Sequence, residues 1–155
     1  MLLPNDIGDA IEERVKALFE GEEFYREMVP SDFSRPSSFL QLADIGTGVN
    51  FGTGIVEIRP LFELTTFVKV DEYYHSHLQE IDRRLFLLLG LFLPGFVKVG
   101  DRAPHVKQLT AESGYDFGTV RARFEFTLDR GNFTELEEHQ EMLNLHLREE
   151  ITTNG

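Results

Sequence analysis

Residues 73–93 read YYHSHLQEIDRRLFLLLGLFL, and the fold turns on how this stretch is packed. Tyr74, Leu78, Ile81, Leu85, Leu88 and Phe92 recur at helical spacing, so one face of a helix is apolar from end to end. From Leu85 to Leu93 the run is hydrophobic all round, which predicts a C-terminal half enclosed on several sides. The charges Glu80, Asp82, Arg83 and Arg84 lie only in the first half, so the helix should enter from the surface and end deep. Pro94-Gly95 should then stop it. The apolar core is nine residues, too short to span hydrocarbon, which makes this the central helix of a soluble domain.

Strand patterns lie on both sides of it. Val56, Ile58, Pro60, Phe62 and Leu64 alternate with Glu57, Arg59, Leu61, Glu63 and Thr65, the period of a sheet with one covered face. Pro60 lacks the N–H of a ladder bond, so this strand is expected at an edge or with a bulge. Between 117 and 128, Val120, Ala122, Phe124, Phe126 and Leu128 should point inward, and Thr119, Arg121, Arg123, Glu125 and Thr127 outward. Shorter strands are expected at 24–29, from Phe39 onward, at 96–99 and at 105–112. The two long strands should flank the central helix.

A first helix is expected over 6–20, with Ile7, Ile11, Val15 and Leu18 as its apolar stripe and Asn5 or Asp6 as its cap. Residues 46–54 hold four glycines but no Lys-Ser/Thr ending and no following helix, so they suit a mobile hairpin loop better than a phosphate loop. The C-terminal part leaves two readings open. Thr134 and Glu137 can start a short helix through a capping box, whereas Leu143, Leu145 and Leu147 alternate with Asn144, His146 and Arg148 at strand spacing. The expected fold is therefore α+β: a mostly antiparallel sheet covered by two helices over residues 1–130, then an acidic C-terminal extension or arm over 131–155.

The 155 residues carry no cysteine and a net charge of −12. A chain of this length buries a core without disulfides, and the charge opposes a general nucleic-acid binder. Residues 1–31 hold eight acids against three bases and residues 129–155 seven against two, so the two ends supply −10 of the −12. Such a layout suits either a solvated acidic surface or an acidic rim in an assembly. Met1-Leu2-Leu3-Pro4 lacks the basic start and apolar run of an export signal.

No catalytic constellation is expected. His75 and His77, beside Asp71 and Glu72, fall on different faces of a helix and converge on a metal only if that segment is extended. The pairs Glu12-Glu13, Glu22-Glu23 and Glu137-Glu138 read as solvated surface, not as carboxyls in a pocket. No serine stands in a nucleophile elbow and no dinucleotide fingerprint is present, so neither a cofactor nor an enzyme is expected.

The order of elements resembles that of the tail terminator (tail-completion) proteins of long-tailed bacteriophages. The likeness runs through the N-terminal helix, the short strand at Phe24-Tyr25, the strand Pro36-Ser37-Ser38-Phe39-Leu40, the long strand over 58–68, the helix over 78–89, the strand over 120–128, and the Glu-rich tail with Met142-Leu143-Asn144-Leu145. The resemblance implies a structural virion protein assembled in the host cytoplasm. It would form a ring, a hexamer, that caps the head-proximal end of the tail tube, stops tube polymerisation and joins the head–tail connector protein. Its partners would be itself, the tail tube protein and that connector, with genomic DNA passing through the lumen and no membrane. Phe51, Arg121, Arg123, Leu143, Leu145 and Leu147 are the expected interface residues. Alternatives are another neck or tail-completion protein, an acidic mimic of DNA, and, less favoured, a metal-dependent hydrolase.

Overall fold

The two long alternating stretches pair directly with each other. The structure, a computed structural model, describes residues 2–50, 54–70, 78–128 and 140–142. Along these residues run α1 (Pro4–Leu18), β1 (Glu23–Arg26), β2 (Ser37–Asp44), β3 (Thr47–Asn50), β4 (Val56–Ile58), β5 (Leu61–Phe67), α2 (Leu78–Gly90), β6 (His105–Ser113) and β7 (Phe117–Leu128). β5 lies antiparallel to β7, with Phe62 opposite Ala122 and Leu64 opposite Val120. The other edge of β5 pairs with β2, and the other edge of β7 with β6. Only β1, beside β2, runs parallel to its neighbour among the described strands. The mostly antiparallel α+β sheet expected from the sequence is the one observed.

Pro60 is not at an edge. β4 and β5 follow β7 in one register, Ile58 opposite Phe126 and Leu61 opposite Arg123, so Pro60 sits opposite Phe124 inside the sheet. Its carbonyl still accepts from the Phe124 N–H at 3.0 Å, so the ladder loses one bond there and continues. The irregularity falls on the facing strand: register shifts between Leu42 and Asp44, and Arg59 N–H donates to Gly46 O at 2.7 Å before β3 takes up pairing with β4. A Cβ at Gly46, where φ is +57°, would collide with the Arg59 carbonyl and lie 2.8 Å from Arg123 Nη1, so the bend requires glycine. The glycine-rich stretch is thus half strand, with Thr47–Asn50 paired, and its tip at 51–53 lies outside the described residues.

One face of the sheet is sealed. α1 packs on β2, while α2 packs on β7, β6 and β5. The helix does not sit between the two long strands, as expected, but across them. Phe62, Leu64, Val120, Ala122 and Phe124 meet Ile7, Ile11 and Val15 of α1 and Ile81, Leu85 and Leu88 of α2 in a single core. Each such side chain contributes about 1.5–3 kcal/mol by leaving water. α1 begins at Pro4, whose fixed φ suits the first turn. Asp6 caps from the third helical position, its carboxylate accepting the Leu3 N–H at 2.9 Å, in place of the direct Asn5 or Asp6 cap expected.

α2 ends earlier and is less enclosed than its sequence implies. It ends at Gly90, turns carry the chain to Pro94, and Gly95 adopts φ +86°. Phe86 is 74% exposed and Leu93 75%, so the helix end is not deep within this chain. Conversely Arg84, expected at the surface, is 2% exposed. Residues 96–99 form no strand; they make single bridges, Phe96 to His105 and Val99 to Arg102. Beyond β7 the described residues 140–142 are helical, and the expected strand over Leu143, Leu145 and Leu147 lies outside them.

Candidate assembly surface

Alternation in β5, β6 and β7 places every second side chain on the face opposite α1 and α2, and those side chains bind one another across the strands. Arg121 donates to Glu63 at 3.0 Å and to Glu112 at 3.1 Å, joining β5, β7 and β6. Thr65 and Thr119 meet at 3.5 Å. Arg123 donates to the Arg59 carbonyl at 2.7 Å and approaches Asp44 at 3.4 Å. Both arginines stand on the outward face, as expected, but their charges are engaged within their own chain. Being partly exposed, such pairs contribute at most about 1 kcal/mol each and mainly hold the open face rigid.

A cleft of about 470 Å³ on this face is lined by Gly46, Arg59, Lys107, Gln108, Arg123 and Glu125. Arg59 bonds Glu57 at 2.8 Å and lies 3.4 Å from Glu125, which Lys107 approaches at 3.5 Å. The Arg59 guanidinium, with Glu125 beside it, holds the Glu57 carboxyl below its ordinary range. That favours a brace that stays ionised at neutral pH over a group that delivers a proton there.

The other face holds a buried ion pair. Arg84 Nε donates to Thr66 Oγ1 at 2.6 Å, and its two terminal nitrogens grip Glu22 at 3.0 and 2.7 Å. The guanidinium carbon lies 3.9 Å from the centre of the Phe19 ring. α2, β5 and the turn after α1 are locked together there. Glu22, expected to be solvated surface, is therefore a structural carboxylate; the partners are far apart in sequence and no local pattern announces them.

Among the described residues, several exposed apolar side chains gather on α2 and just beyond. Leu78, Phe86, Leu87, Leu93 and Phe96 are at least about one-third exposed, which no requirement of the isolated domain explains. At helical spacing Phe86 and Leu89 lie on the flank of α2 opposite Arg84, and α2 packs against β6 as well as β7. Phe96 is tied to that side by its bridge to His105. β6 itself has an open edge. Val106 N–H donates to Gly95 O at 2.8 Å, and from Lys107 to Ser113 no second strand pairs with it among the described residues. α2 and the β6 edge together present apolar surface beside unpaired backbone.

Phe51, Leu143, Leu145, Leu147, His75 and His77 lie outside the described residues. Among the described residues no three His, Cys, Asp or Glu side chains are grouped to hold a metal ion, and no helix is long and apolar enough to cross a membrane. No protein-family model and no curated protein matches the chain.

Proposed function

We propose that the chain is a structural virion protein of a long-tailed bacteriophage, a tail terminator that forms a ring on the head-proximal end of the tail tube. The observation that carries this is the uncovered α2 surface: a run that is apolar all round in sequence leaves Phe86 and Leu93 about three-quarters exposed in the single chain. Neighbouring copies would enclose it. Ring closure needs two different surfaces on each copy, and the α2–β6 side, far from α1 across the sheet, supplies one of them.

The acids support the same function. Asp9 and Glu13 on α1, Glu20 in the turn after it, and Glu23 and Glu27 on and just after β1 are all exposed. Facing a lumen, they would repel passing DNA phosphates and keep the genome from sticking. The rigid open face, with its arginines already paired, would offer a fixed surface to tube and connector proteins.

The test is to polymerise tail tube protein with and without the purified chain and to image the tubes by electron microscopy. A terminator gives tubes capped at one end by a ring and halted in growth. Unaltered tube lengths with bare ends would refute it.

A further inference from the structure

We infer that the C-terminal stretch 143–148 of one copy adds as a strand to the open edge of β6 in the next copy, running parallel to it. The inference rests on the self-association proposed above, though not on its being a tail ring. The edge from Lys107 to Ser113, unpaired on its outer side among the described residues, is about 23 Å long at the rise of a strand. Six added residues match it to within one residue. Any strand placed there has two unlike sides. On the helix side it meets half-buried Leu109, exposed Ala111 and the Phe86 flank of α2. Ala111 stands opposite Val120, a core position, yet is itself open, which marks the place where covering is missing. On the other side the strand meets Gln108, Thr110 and Glu112, all exposed.

The chain contains one stretch beyond β7 with that two-sided pattern. Leu143, Leu145 and Leu147 alternate with Asn144, His146 and Arg148, with no proline or glycine to interrupt pairing. Directing the leucines toward α2 puts the three polar residues beside Gln108, Thr110 and Glu112. Charge then selects the direction. Run parallel, Asn144 stands next to Gln108, His146 next to Thr110, and Arg148 next to Glu112, whose side chain is 73% exposed. Run antiparallel, Arg148 falls at the Lys107 end and loses that partner. The acids just before the strand, ending in Glu141, then reach the Lys107 end. The bridge of Phe96 to His105 blocks the first residues of β6 and fixes where the added strand begins.

The absence of native cysteine makes this directly testable by cross-linking. One chain carries Gln108→Cys and another Asn144→Cys, a pair that only parallel docking joins; both are mixed and oxidised, and disulfide-linked dimers are counted on non-reducing gels. Neighbouring positions on paired strands meet the geometry of a disulfide. The inference expects dimers from that mixture and few from Glu112→Cys mixed with Asn144→Cys, the pair that antiparallel docking would join. Dimers only from the second mixture would overturn the stated direction. Closure within a single chain carrying both Gln108→Cys and Asn144→Cys, with no dimers from the mixture, would overturn docking between copies. If no disulfides form while native mass measurement still shows an oligomer, this contact is wrong and self-association stands. A monomer in that measurement would remove both.

Discussion

Replacing Glu22 by Gln should destabilise the chain far more than replacing the larger residue it binds. Arg84 is 2% exposed, and among the described residues Glu22 is the carboxylate that answers its charge, with Thr66 Oγ1 taking one further N–H and the Phe19 ring lying against it. Removing the carboxylate strands a buried guanidinium, at a cost of about 3–5 kcal/mol. Arg84→Met instead leaves Glu22, whose side chain is 20% exposed beside an open cleft lined also by Lys69 and Arg83, so water can reach it. The unmet hydrogen bonds then cost about 1–3 kcal/mol. Combining Glu22→Gln with Arg84→Met should recover most of the loss of the first, because the stranded charge is gone. For a chain of this size, 3–5 kcal/mol lowers the melting temperature by roughly 6–20 °C. Thermal unfolding of the two single variants and the double variant, as a mutant cycle, gives the coupling. Equal losses for the two single variants, or losses that simply add, would refute the buried-pair account.

Gly118→Ala places a Cβ 2.7 Å from Leu85 Cδ2, where α2 presses on β7, and should cost about 1–3 kcal/mol in denaturant unfolding, while Gly90→Ala, with nothing near it, should be neutral or stabilising. Because Glu57 ionises more readily folded than unfolded, its stabilisation is present above its unfolded value and lost as pH falls through its lower folded value. Glu57→Gln should therefore flatten the fall in melting temperature below about pH 4.5, with an unchanged acid limb counting against the Arg59 brace. Phe86→Ser combined with Leu93→Ser should leave unfolding within about 0.5 kcal/mol of the parent, both being exposed, but should weaken self-association; an unchanged oligomer would free the α2 surface from any role in assembly.

What sequence could show of this molecule was what repeats along the chain. The alternation in 117–128 marked β7 to the residue, since a face sealed by helices demands an apolar side chain at every second position. The same alternation put Arg121 and Arg123 on the outward face. Their partners Glu63, Glu112 and Asp44 come from strand register, which no local pattern encodes. Pro60 suggested an edge because a missing donor usually needs one; here the neighbouring strand bends at Gly46 instead, and the sheet runs past the proline. Arg84 looked like surface because its neighbours Asp82 and Arg83 are. Its burial depends on Glu22, 62 residues earlier, and Thr66, 18 earlier. The enclosure expected for residues 85–93 is one-sided in the single chain, with Leu85, Leu88 and Phe92 buried and Phe86 and Leu93 open, and the proposed assembly would cover the open side.

Native mass spectrometry of the purified 155-residue chain tests self-association most directly. A closed oligomer of one defined subunit number, the hexamer, is the expected species. A monomer at every concentration, with Phe86 and Leu93 left open to water, would contradict it.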